Sequence, residues 1–185
     1  MKNVTFLLAA VICLLSTNLE AQKYFTRDGH ISFFSSAPLE NIEAHNRQAT
    51  SVLDASTGDI EFAVLIKGFQ FEKALMQEHF NENYMESNKF PRATFKGKVQ
   101  NMSEIDLSKD GEYTASVKGE LTIRGITKPV DTTATFTVKA GEIYATTKFD
   151  VAVADHDITI PAVVRDNIAR VIETTVNVRY LPLNQ

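Results

Sequence analysis

A chain of 185 residues and 20.6 kDa, 44% hydrophobic and 23% charged, has the balance of one ordinary globular domain rather than of a disordered segment. Its 19 basic and 23 acidic residues give a net charge of −4, which excludes the broad basic footprint of a nucleic-acid binder. No apolar run reaches the roughly 18 residues of a spanning helix, so no stable membrane span is expected.

The first 21 residues read as an export signal. Lys2 supplies a positive start, Val4 to Leu15 forms an apolar run of 12 residues, and small and polar residues lead to Ala21, a cleavage position before Gln22. The only cysteine, Cys13, lies inside that run and is preceded by Ile12, where a lipidated cysteine would have a small residue. Cleavage leaves 164 residues, 22–185, without a thiol: no disulfide, no cysteine nucleophile and no thiolate metal site. The expected location is periplasmic or secreted. A chain of that length can build a core by packing alone.

After the leader, the dominant signal is alternation with period two, the mark of half-buried strands. Ile31 and Phe33 mark a first strand, and a second runs from about Asn46 to Asp54. Ser56-Thr57-Gly58-Asp59 is a turn that leads into Ile60, Phe62, Val64 and Ile66. Glu72 to Tyr84 departs from this pattern: Leu75, Met76, His79, Phe80 and Tyr84 have helical spacing, which predicts one helix over an opening or an edge. Pro91 ends it, and Phe95 and Val99 mark the next strand.

Four strands with strict alternation follow. Tyr113, Ala115, Val117, Gly119, Leu121 and Ile123 share one face, against an all-polar face from Glu112 to Thr122. Val130 to Val138, Ile143 to Val153 and Ile168 to Tyr180 repeat the pattern, with turns at Asp110-Gly111 and Ala140-Gly141. Asp155 to Asp166, which contains Pro161, is expected to be irregular. The total is about eight strands in one antiparallel meander, an all-β fold. Closed into a barrel, eight strands enclose either packed side chains or one small ligand. Ala115, Gly119, Ala134 and Ala145, set among phenylalanines on the inward face, are compatible with an apolar lumen or with a complementary solid core.

Residues for chemistry are sparse. His30, His45, His79 and His156 form no HxH or HExxH pair, so no metal is expected. His79 is expected to be semi-buried on the helix, and Asp155-His156-Asp157 is read as turn geometry. No Gly-x-Ser-x-Gly elbow or phosphate-cradling glycine loop is present, so no catalytic residue is assigned and no enzyme activity is expected. Arg170 has the parity of Ile168, Ile172 and Val176. If inward it would need an anion, such as the phosphate of a lipid headgroup; at the rim it would be paired or solvated.

His79-Phe80-Asn81-Glu82-Asn83-Tyr84-Met85-Glu86-Ser87, followed by Lys89-Phe90-Pro91 and Ala93-Thr94-Phe95-Lys96-Gly97, resembles the central signature of the YceI family. Gly119-Glu120-Leu121-Thr122-Ile123, Gly125 and Thr127-Lys128-Pro129-Val130 resemble its second signature, with Arg124 where the family often has His. The resemblance implies an eight-stranded antiparallel lipocalin-like barrel with one short helix, usually exported, holding a polyisoprenoid or isoprenoid-quinone lipid in an apolar tunnel.

The expected function is therefore non-enzymatic binding of an amphiphilic isoprenoid lipid or quinone, with no other cofactor; a homodimer is left open. The expected tunnel lining is Phe33, Phe62, Phe95, Val117, Leu121, Phe136 and Phe149; Arg170 is read foremost as a paired or solvated rim charge, with a headgroup contact as its alternative. The alternative is a filled, ligand-free barrel serving as a structural, interaction or stress-response module of the cell envelope.

Overall fold

The computed structural model describes residues 23–183. The predicted leader, with Cys13 and the cleavage position, lies outside the described residues. The long strands are β1 (Lys23–Ser36), β2 (Asn41–Asp54), β3 (Asp59–Leu65), β5 (Arg92–Val99), β6 (Gly111–Ile123), β7 (Ile126–Lys139), β8 (Glu142–Ala152) and β9 (Val171–Pro182). Each pairs antiparallel with its neighbour, and β1 bonds both β9 and β2, which closes the sheet into an eight-stranded barrel. A two-residue strand, β4 (Gln70–Phe71), resumes pairing with β2 after β3 leaves it.

That interruption is held by Asn46, which is fully buried. Its Nδ2 donates to the Leu65 carbonyl at 2.9 Å, and its Oδ1 accepts from the Gln48 amide at 2.8 Å. Burial of this amide is tolerated because both ends are bonded. Opposite it, the register of β1 on β2 slips between Thr26 and Ile31. Inward parity therefore changes along both strands: Tyr24 and Thr26 point in before the slip, Ile31 and Phe33 after it. This bulge explains why alternation exposes only fragments of two strands that each run 14 residues.

The β6–β7 and β7–β8 hairpins turn on two residues each, Arg124-Gly125 and Ala140-Gly141, all with positive φ. Such turns match the twist of the flanking strands. The predicted helix is shorter than its spacing suggests: α1 (Ala74–His79) passes into a single π-helical turn, Phe80–Tyr84. The last strand starts at Val171, so Ile168 to Arg170 belong to the irregular segment before it.

The ends of the barrel differ. At one end, Tyr24, Leu53, Val99, Met102, Ile105, Val138 and Ile143 form a packed core. At the other, segments 66–91 and 153–170 cross the opening beside the β1–β2 and β6–β7 turns. Four phenylalanine rings, Phe33, Phe69, Phe71 and Phe80, seat the helical segment with centroid separations of 5.0–5.7 Å.

An apolar cavity beneath a two-sided cover

Between these ends lies a cavity of about 460 Å³, within the roughly 300–1,000 Å³ range of sites that hold one small molecule. Phe33, Phe62, Phe95, Val117, Leu121, Phe136 and Phe149 all line it. Phe33, Phe62, Phe95 and Phe149 are only partly buried although they point into a closed barrel, because they face empty space.

A glycine pair makes room for this lumen. Gly97 and Gly119 are cross-strand partners, and the Phe95 ring lies over both. A Cβ on Gly119 would come within 2.6 Å of that ring and 2.5 Å of the Lys96 carbonyl. Any side chain there would force both the Phe95 ring and the β5 backbone to shift. Ala134 and Ala145 leave further space in the lining, whereas Ala115 is fully packed and does not reach the cavity. At the deep end, Tyr180 stacks on Phe136 and its hydroxyl shares a 2.8 Å hydrogen bond with Ser51 Oγ. Burial pushes that phenol far above its ordinary range.

The covering segments contribute lining that the strand pattern does not contain. Met76, Phe80 and Tyr84 come from the helical turns, and Ile158, Ile160 and Val164 from the irregular stretch. The spacing of four between Met76, Phe80 and Tyr84 is a visible signal for an inward helix stripe. The isoleucines beside Pro161 have no periodicity to find. Leu75 does not share that stripe and is exposed.

Of the two readings of Arg170, the inward one is corrected. Arg170 is exposed, does not line the cavity, and lies in the bend before β9, so strand parity does not apply to it. Among the described residues, no Lys or Arg lines the cavity, and its one carboxylate is Glu40. Glu40 accepts from Lys73 Nζ at 2.7 Å, and this bond, with help from Asn167, holds its carboxyl below the usual range. His79 also reaches the lining and is exposed rather than semi-buried. His156 is buried, with its Nδ1 3.1 Å from the Ile126 carbonyl, and His30 and His45 meet at 3.1 Å outside the lining.

On the far side of the opening, Arg124 joins three segments. Its guanidinium donates to the Glu86 carboxylate and to the Asp157 carbonyl and lies 5.9 Å from the Phe90 ring centroid. The Arg124 side chain is only 14% exposed. Arg124, Glu86 and Asp157 all have positive φ, and this junction ties the helical cover to the 153–170 cover.

The YceI-like domain matches residues 22–180. The chain belongs to the YceI family. Among solved structures, a polyisoprenoid binding domain from Saccharophagus degradans aligns with a TM-score of 0.75 at 12% identity, covering 88% of this chain and 98% of that one. Burkholderia cenocepacia BcnA aligns at 0.67 and 12% identity, covering 83% and 96%. The Campylobacter jejuni YceI protein aligns at 0.56 and 15%, covering 80% and 88%. At such identities the likeness concerns the fold. No curated protein sequence matches the chain.

Proposed function

We propose that this YceI-family barrel is an exported, non-enzymatic carrier of one amphiphilic isoprenoid lipid, a polyprenyl lipid or an isoprenoid quinone. The observation that carries the reading is the cavity of about 460 Å³, lined mainly by aliphatic and aromatic side chains inside a closed barrel. Each methylene moved into such a lining contributes about 0.8 kcal/mol, so a prenyl tail needs few polar contacts to bind. The polar end would rest at the covered opening near Glu40, His79 and Asn167, because the deeper lumen has no charged partner for it. A hollow lumen favours a carrier over a filled interaction module. The predicted leader supports export to a periplasmic or extracellular location, and the neighbour described as a polyisoprenoid binding domain supports the ligand class.

Native mass spectrometry of protein purified from its own envelope, followed by lipid extraction, tests the reading. A stoichiometric adduct of isoprenoid mass is expected. Leu121→Glu, which places a carboxylate in the lumen, should abolish that adduct in a folded barrel. A clean apo mass, with no uptake when prenyl lipids are offered, would overturn the carrier in favour of the envelope module.

A further inference from the structure

The exposed apolar residues are unevenly distributed. Val163 at 89%, Leu39 at 72% and Leu75 at 60% are the most exposed large hydrophobic side chains among the described residues, and all three stand at the covered opening. They lie on three separate segments that meet there. Leu39 occupies the β1–β2 turn, and its amide donates to the Asp166 carbonyl at 2.9 Å, three residues after Val163. Its neighbour Glu40 binds Lys73, two residues before Leu75. The Glu40 junction thus gathers the three apolar tips around the mouth.

Each tip also adjoins a residue that lines the cavity: Met76 follows Leu75, Val164 follows Val163, and Glu40 follows Leu39. At Leu75 and Val163 an apolar residue outside the mouth is therefore followed directly by an apolar residue of the lumen. Water-facing leucine and valine on one turn, one short helix and one irregular segment gain nothing for the fold, and three separated side chains fall far short of the roughly 800 Å² per partner that a stable protein interface buries. A fluid surface that accepts isolated apolar tips fits them better.

We propose that the barrel docks mouth-first on a phospholipid bilayer, with Leu39, Leu75 and Val163 entering the interfacial layer and the cavity opening against the membrane. This rests on the carrier reading, since a lipid ligand resides in that surface. Arg165 and Arg170 are exposed at the same end and can extend to headgroups, while Lys73 is held on Glu40. Glu72, Glu78 and Asp166 lie among them, so apolar contact rather than charge drives the docking.

The chain has no tryptophan, so Leu75→Trp introduces a single reporter. With vesicles of phosphatidylethanolamine and phosphatidylglycerol its emission should shift to the blue, whereas Leu181→Trp at the opposite end should not respond. Changing Leu39, Leu75 and Val163 together to Ser should weaken vesicle co-sedimentation about tenfold or more, given the apolar surface removed. It should slow prenol pick-up from vesicles similarly while leaving prenol uptake from detergent solution unchanged.

No blue shift, or equal vesicle binding by the triple variant, would overturn the docking proposal. Concentration-dependent self-association that the triple variant loses, without vesicle binding, would assign the tips to a second copy and also overturn it. Failure of the wild type to take prenol from detergent would instead count against the carrier reading, and the vesicle measurements would still decide docking on their own.

Discussion

The two ends of the barrel are built from the same strands and the same alternation, yet one is solid and the other hollow. At the solid end Leu53, Val99, Phe136 and Tyr180 are almost completely removed from solvent, and Met102 and Ile105 fold in from the β5–β6 connection as a plug. At the hollow end Phe33, Phe149, Val151 and Ile172 keep accessible surface, because segments 66–91 and 153–170 span the opening instead of filling it. The contrast teaches that an inward apolar residue stabilises a barrel only as far as the space facing it is occupied.

Leu→Ala substitutions at the two ends should break this symmetry most visibly. Leu53→Ala leaves a void in a packed region and should cost about 2–5 kcal/mol in urea unfolding. Leu121→Ala enlarges a cavity that already exists and should cost about 1 kcal/mol, mainly the transfer of the lost methyl groups. Equal costs would mean that the lumen around Leu121 is filled in solution.

Next in size is the junction at Arg124. Arg124→Ala removes charged hydrogen bonds that join the two covering segments and should cost about 2 kcal/mol. Hydrogen exchange should rise in segments 72–90 and 153–170 and not at the plugged end. Uniform protection loss across the barrel would show that the covers are not a separable unit.

The smallest effect concerns Tyr180 at the cavity floor. Tyr180→Phe leaves the buried Ser51 hydroxyl without its partner and should cost about 1 kcal/mol at neutral pH. The phenol titrates near 10 when unfolded and well above that when folded. Its stabilisation is thus complete below about pH 10 and falls away as pH rises through the folded value. Unfolding at alkaline pH should show a steep loss in the wild type and a shallower one in Tyr180→Phe; identical slopes would mean that the phenol is reached by solvent.

Local pattern carried much of this molecule. Period-two alternation from Tyr113 to Tyr180 determined four strands and which of their faces points inward, because a pleated strand sends successive side chains to opposite sides. The paired signatures around Phe80 and Gly119 identified the family and with it the closed barrel. The helix over an opening was legible from its spacing, although its length was not.

Tertiary structure alone decided the rest. The β1–β2 bulge reverses inward parity midway, so no single alternation describes those strands. Ile158, Ile160 and Val164 reach the cavity by loop closure, which has no period, and Arg170 lost its apparent parity because β9 begins at Val171, three residues after the expected start at Ile168. Whether inward apolar side chains meet each other or enclose space depends on what crosses each end of the barrel. Here it depends on the Gly97–Gly119 pair beneath Phe95, and on covers that are pinned at Arg124 and Glu40 rather than packed inside.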